Sequence, residues 1–296
     1  MNKPFIIISA GDAKYFPLLR ACLSSIRDKA EGRDVPLGVL DLGLEESQRQ
    51  WLAGIGASIA KPGWDIALKR SHALPEHYKA LTSRPYLPRY FPGHDLYMWL
   101  DADAWVQDWS AIELFRRAAA KGAIACVPEM DRSYRNFFHA WQEFHDVIHA
   151  SYREAFGEET ATEMVRHPLI NSGAFALRPD SPSWAVWAKL IGEGLNQTDN
   201  FLTEQNALNI AIYRHGIESH FLPVICNWAA HHSTPAWDTA GGCFVEPCLP
   251  HQKIGILHLT VWTKDQHEID VVQLGGPQDG KPRPMSLRYA GTVAAP

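Results

Sequence analysis

The chain has 296 residues, 46% of them hydrophobic and 11% aromatic, which excludes a disordered, collagenous or heptad-repeat polymer. With 28 basic and 33 acidic residues the net charge is −5, so no overall basic field attracts nucleic acid or an anionic membrane. No apolar run approaches the roughly 20 residues that span a bilayer, and Met1-Asn2-Lys3-Pro4 ahead of Phe5-Ile6-Ile7-Ile8 is too short for a signal-peptide core, so a cytoplasmic location is expected.

In chain order, residues 5–10 form a continuous apolar run that ends in the loop Gly11-Asp12, the pattern of a strand buried on both faces. Residues 15–28 carry Phe16, Leu19, Leu23 and Ile26 at helical spacing. A second strand is expected over 37–42, a helix opened by acidic residues over 45–55, and a third clear strand over 96–100 that delivers Asp101 and Asp103 at its carboxyl end. This alternation predicts an α/β fold with a Rossmann-like, mostly parallel sheet flanked by helices, in which ligands collect at the carboxyl ends of the strands. Further on, the pattern gives a helix over 112–120, a strand over 123–127 and one or two amphipathic helices over 132–167. A strand over 169–177, helices over 184–195 and 203–213, and a last strand over 254–260 follow. Residues 220–250 show no period and read as an ordered loop region. From Gly275 onward, Gly, Pro and polar residues suggest a loose tail, so a single domain over 1–274 and a tail over 275–296 are expected. Cys22, Cys126, Cys226, Cys243 and Cys248 show no metal-ligand spacing and read as free thiols, with a Cys243–Cys248 disulfide as the alternative.

Asp101-Ala102-Asp103 is the most informative tripeptide. Two carboxylates one residue apart, directly after an apolar strand, can converge on a divalent cation, and oxygen ligands with open positions suit Mn²⁺ or Mg²⁺. The other use of such a pair is an acidic turn ahead of the helix that begins near Ser110. Tyr97-Met98-Trp99-Leu100-Asp101-Ala102-Asp103-Ala104-Trp105 resembles the metal-binding segment of GT-A glycosyltransferases, closest to the retaining group (family 8) that includes glycogenin and the lipopolysaccharide galactosyl- and glucosyltransferases. Four more segments resemble that family in its order: the first-strand loop Ala10 to Tyr15, Asn171-Ser172-Gly173 within residues 170–177, Glu204-Gln205 opening residues 204–209, and His258-Leu259-Thr260-Val261-Trp262-Thr263-Lys264. Arg84, seventeen positions before Asp101, stands where the family has an arginine that reaches the sugar nucleotide.

The resemblance implies a GT-A domain and a metal held by Asp101, Asp103 and His258. Lys264 and Arg84 would face the diphosphate, while Ala10, Asp12, Tyr15, Ala102, Asn171 and Ser172 would line the donor site. Gln205 would lie beside the reacting carbon in an orienting role; Glu204 could serve instead, although a solvent-facing acid at a helix start is its commoner use. Asp12 could equally cap a helix. Glu129 and Asp131, after the 123–127 strand, are further candidates for donor-sugar hydroxyls. Val261 departs from the family's glycine, Asn206 from its aspartate, and Lys14 from the asparagine often found near the base. The expected partners are a nucleotide-sugar donor, a UDP-sugar above others, and a saccharide, small-molecule or protein acceptor. No nucleic acid is expected, nor strong membrane binding, since Lys281, Arg283 and Arg288 are few and scattered. An inactive sugar-binding protein on the same fold and a sugar-nucleotide pyrophosphorylase are the alternatives; the latter needs a Gly-rich basic loop that Ala10 to Lys14 lacks. His145 and His149, one helical turn apart near His139, form a rival metal pair. Trp228, Trp237 and Trp262 could offer indole faces to an acceptor sugar, and residues 132–167 could form a lid over it.

Overall fold

The computed structural model describes residues 5–69, 74–135 and 141–291. Its strands are β1 (Ile6–Gly11), β2 (Leu37–Asp41), β3 (Ala57–Ala60), β4 (Tyr97–Leu100), β5 (Ala104–Val106), β6 (Ile124–Pro128), β7 (Ile170–Leu177) and β8 (Ser219–Phe221). They continue with β9 (Trp228–Ala229), β10 (Ala236–Asp238), β11 (Cys243–Val245), β12 (Ile256–His258), β13 (Ile269–Leu274) and β14 (Pro282–Met285). The central sheet runs β3-β2-β1-β4-β7-β6-β8. It is mostly parallel; the two antiparallel pairings are those of β7 with β4 and β6.

The apolar run of β1 is buried along its whole length because both faces of the sheet are covered. Ile6 and Ile8 enter one core with Trp99, Phe175, Trp187 and Leu208, beneath the helices Ser183–Leu195 and Thr203–Tyr213. Ile7 points the other way into a second core with Met98, Leu23, Ile112 and Phe115, beneath Phe16–Arg27 and Ser110–Ala119. This is the period-two alternation of a strand read out as two separate cores. Residues 132–167 contain the helices Trp141–Phe156 and Glu158–Met164, parted by Gly157 at φ +86°, a conformation suited to glycine; His139 lies outside the described residues.

Sequence and structure differ at the periphery. β3 is an edge strand whose residues are only half-buried or exposed, so it carries no apolar run. Within 220–250, β9 to β11 span two or three residues each, too short to show a period. Structure is present within the segment read as a loose tail: β14 pairs antiparallel with β13, Leu287 is buried, and Trp105 Nε1 donates to the Leu287 carbonyl at 2.9 Å. Arg288 donates to the Lys264 carbonyl at 2.7 Å, and the Tyr289 hydroxyl bonds Asp28. Pro282 and Pro284 argue against a strand in sequence, but β14 is the edge of its sheet, where a missing N–H is tolerated. All five cysteines are free thiols, and no helix among the described residues is long and apolar enough to cross a membrane.

Truncation after Gly275 is therefore expected to destabilise the protein by at least about 2 kcal/mol, the scale of one buried leucine side chain. An unchanged midpoint in urea or thermal unfolding would show that the segment adds nothing to the fold.

Candidate active site

Asp101 leaves β4 at its carboxyl end, with its N–H donating to the Gly173 carbonyl at 2.8 Å. A tight turn, closed by Ala104 N–H to the Asp101 carbonyl at 3.0 Å, passes Ala102 and Asp103 into β5. β5 pairs antiparallel with β12 so that Ala104 lies opposite His258. These ladders bring His258 Nε2 to 3.2 Å from Asp103 Oδ1 and 3.8 Å from Asp101 Oδ2. Lys264 Nζ stands 3.7 Å from Asp103 Oδ2 and 5.5 Å from the Tyr15 ring centroid. Burial on its own would raise the Asp103 carboxyl, but His258 and Lys264 hold it below the ordinary range. Burial would likewise lower His258, and Asp103 reverses that, so the imidazole is raised.

Among the described residues, Asp101, Asp103 and His258 form one of two groups whose ligating atoms lie within 4.8 Å of one another. Two carboxylates and an imidazole suit Mn²⁺ or Mg²⁺. Gly173 makes the room: a Cβ there would come within 2.4 Å of His258 Cε1 and 2.7 Å of Asp101 Oδ2.

Arg84 organises the other side. Its Nη2 lies 2.6 Å from Asp101 Oδ1, and its Nη1 lies 2.6 Å from Glu204 Oε2 and 2.9 Å from Ser172 Oγ. The guanidinium also sits 4.7 Å from the Trp99 ring centroid, and Trp99 Nε1 donates to Asp101 Oδ1 at 2.6 Å. Asp101 thus spends Oδ1 on Arg84 and Trp99 and turns Oδ2 toward His258. Glu204 is 2% exposed, which corrects the reading of a solvent-facing helix acid. Its position at the start of Thr203–Tyr213 is as expected, but that helix end is packed under Arg84 and β7. Burial raises its carboxyl to about 7 despite Arg84 and Ser172, and its Oε1 has no hydrogen-bond partner among the described residues. Gln205 Oε1 accepts from Ser172 N–H at 3.1 Å.

The remaining candidates divide. Ala10, at the end of β1, and Ala102 are buried beside this edge. Asp12 Oδ1 accepts from Tyr15 N–H at 2.8 Å, the turn-capping use of an aspartate ahead of Phe16–Arg27. Asp131 Oδ1 accepts from the Ser133 N–H and hydroxyl in a local turn. Asn171 and Glu129 are joined instead in a buried network: Asn171 Nδ2 donates to Glu129 Oε1 at 2.6 Å, and His232 Nε2 lies 2.8 Å from Glu129 Oε2. Burial would raise Glu129, yet His232 and its other partners bring it to about 2. Asn227, His231 and His232 were not singled out in the sequence, because they fall in the aperiodic segment; the adjacent His-His pair is the one signal there. His145 and His149 stack with centroids 6.1 Å apart and pair with Asp146 and Glu158, and among the described residues neither falls in a metal-ligating group. Trp228 is fully buried and Trp237 packs edge-on to Phe244, whereas Trp262 is 44% exposed.

The sequence matches no protein-family model and no curated protein. Solved structures do match in fold. The galactosyltransferase LgtC in complex with donor and acceptor sugar analogs superposes with a TM-score of 0.53 at 14% identity, over 86% of both chains. An active-site mutant of LgtC gives 0.51 at 15%, with 86% of each chain covered. The bifunctional glycosyltransferase WbbM, in its apo form, gives 0.51 at 13%, over 77% of this chain and 40% of its own. The fold is the GT-A fold, as the sequence led one to expect.

Gly173→Ala is expected to leave a folded protein that has lost divalent-cation binding, because the added methyl displaces His258 and Asp101. Isothermal titration with Mn²⁺ in the presence of nucleotide measures this, and wild-type affinity would contradict it. A second expectation concerns pH. With its carboxyl raised from 4.5 to about 7 in the fold, Glu204 binds more proton folded than unfolded between those values, so its contribution to stability falls as pH rises across that window. Glu204→Gln should flatten that part of the stability profile; an unaltered profile by denaturant titration would show that Glu204 does not titrate there.

Proposed function

We propose that the chain is a metal-dependent, retaining glycosyltransferase that moves a hexose from a UDP-sugar to a soluble saccharide, small-molecule or protein acceptor. The observation that carries this reading is the convergence of Asp101, Asp103, His258 and Lys264 at the carboxyl edge of a GT-A sheet. A likeness in fold alone would not carry it.

Asp101, Asp103 and His258 would hold the divalent ion, which supplies positive charge against the departing diphosphate. Lys264 adds a fixed cation on the same side, braced by Asp103 and Tyr15. Arg84, tied to Asp101, Glu204 and Ser172, keeps the metal-facing carboxylate and the sugar-facing helix start in fixed relation. Glu204 Oε1, buried and without a partner among the described residues, would accept from a hydroxyl of the donor sugar, an interaction that would satisfy it. Gln205, an amide and so a poor nucleophile, orients the reacting sugar. Ala10, Asp12 and Tyr15 border the base side. Within residues 132–167, the helices Trp141–Phe156 and Glu158–Met164 would cover the acceptor.

The test is a thermal-shift screen of nucleotides and nucleotide sugars with and without Mn²⁺, since a ligand of the native state raises its apparent stability. UDP and UDP-hexoses are expected to stabilise the protein only with metal present. Asp103→Asn should remove that metal-dependent shift and lower donor hydrolysis at least about 100-fold, with the fold intact, because an amide supplies no charge to the ion. Metal-independent binding, or full hydrolysis by the folded variant, would reject the metal assignment.

A further inference from the structure

Resting on the metal reading of Asp101, Asp103 and His258, we infer that a buried amide relay running Glu129–Asn171–Asn227 fixes His258 in the tautomer whose Nε2 lone pair faces the two aspartates, which makes Asn227 a positioning residue for the divalent cation.

The direction of the relay follows from what each group can donate or accept. An ionised carboxylate only accepts, so at Glu129 Oε1, 2.6 Å away, Asn171 must present its NH₂. Asn171 Oδ1 then faces the other way and accepts from the Gly173 backbone N–H at 2.8 Å, a donor that cannot reverse. The Asn171 amide is therefore pinned from both ends. The same Oδ1 accepts from Asn227 Nδ2 at 2.9 Å. That leaves Asn227 Oδ1 toward His258 Nδ1, 3.0 Å away. An amide oxygen cannot donate, so the proton of that bond belongs to Nδ1. Nε2 is then the nitrogen left to a cation, and it is the one lying nearest Asp103 and Asp101; with no cation there, Asp103, which only accepts, draws a proton onto Nε2 as well.

Every member of the relay is buried, so water does not compete for these bonds. β9 sets the position of Asn227. It pairs with β12 in parallel, Trp228 opposite Leu257, which places the residue ahead of Trp228 beside the His258 ring. The far end is braced by His232, whose ring lies between Tyr134 and Phe144 with centroids 5.0 and 5.4 Å away. Glu129, His231 and His232 are close enough together to hold an ion themselves, but both Glu129 oxygens are committed to Asn171 and His232, so this group serves as the anchor. Hydrogen-bonded partners of metal-bound histidines fix the ring orientation, and their loss weakens metal binding about 10–100-fold.

Two variants separate positioning from simple core filling. Asn227→Ala removes the acceptor. Asn227→Asp keeps an acceptor for Nδ1–H but sets a second oxygen against Asn171 Oδ1. Mn²⁺ affinity is measured in the presence of UDP by electron paramagnetic resonance of free Mn²⁺, and ring protonation by ¹⁵N NMR of His258 in the diamagnetic Mg²⁺–UDP complex. Asn227→Ala is expected to weaken Mn²⁺ binding about 10–100-fold and to move the ring proton toward Nε2. Asn227→Asp should retain most of the affinity while losing thermal stability, so affinity and stability move independently. Wild-type Mn²⁺ affinity in folded Asn227→Ala, or a wild-type His258 protonated on Nε2, would overturn the inference, and the wild-type spectrum decides the matter even if the alanine variant fails to fold. Wild-type protein that binds no Mn²⁺ with UDP would instead overturn the metal reading beneath it, and the inference with it.

Discussion

A single guanidinium shared by two carboxylates is the constraint on which the sheet edge depends. Arg84 is 5% exposed and bonds both Asp101 and Glu204. Taking an unpaired charge out of water costs several kcal/mol, so the two acids could not approach one another without that cation between them. The sharing also gives Asp101 two faces. One oxygen belongs to Arg84 and Trp99, and the other is left for His258 and whatever that pair binds. Arg84 arrives through the short turn Arg84–Tyr86, where Pro85 restricts the backbone behind it.

The reversal of β7 supplies the second half of the edge. In a wholly parallel sheet only carboxyl ends would meet there. Because β7 runs against β4 and β6, its first residues, Asn171, Ser172 and Gly173, lie beside Asp101 and the end of β6. Asn209 then clamps the following helix to that start. Its amide accepts from the Ile170 N–H at 2.8 Å and donates to the Ile170 carbonyl at 2.9 Å. Glu204 and Gln205, one turn earlier on the same helix, are thereby delivered to Ser172. A motif spread over 120 positions becomes one surface by backbone pairing and one side-chain amide.

What the sequence made legible follows the strength of the local signal. Apolar runs gave β1 and β4, and helical spacing gave Phe16–Arg27, because each such element buries a continuous face. Asp101 and Asp103 were legible as a pair from their spacing after an apolar run, whereas His258 and Lys264 joined them only through the family resemblance, since no local pattern links residue 103 to residue 258. Glu204 was misread because its burial is decided by Arg84, far away in sequence, and a helix-start acid usually faces water. Asn227 and His232 carried no period and no motif; their partners are 31 and 103 positions away, distances no local pattern spans. β14 was hidden by its prolines, which only the edge position of that strand excuses.

Two positions show what a glycine in this site is for. At Gly173 the constraint is space, since a methyl would strike the His258 ring and an Asp101 oxygen. At Val261 the family pattern also asks for glycine, and the constraint there is conformation. Val261 has φ +52°, the left-handed region, where a β-branched residue is strained by about 1–2 kcal/mol. Its side chain is 59% exposed and so displaces nothing. The backbone thus follows the path that carries Trp262, Thr263 and Lys264 around to Asp103 without the glycine that would adopt it unstrained. The chemistry at this turn depends on where the main chain and Lys264 go, and a valine directed into solvent at a modest local cost leaves both in place. Valine at residue 261 is therefore compatible with the path of this turn, whereas alanine at residue 173 is not compatible with the side chains packed around it.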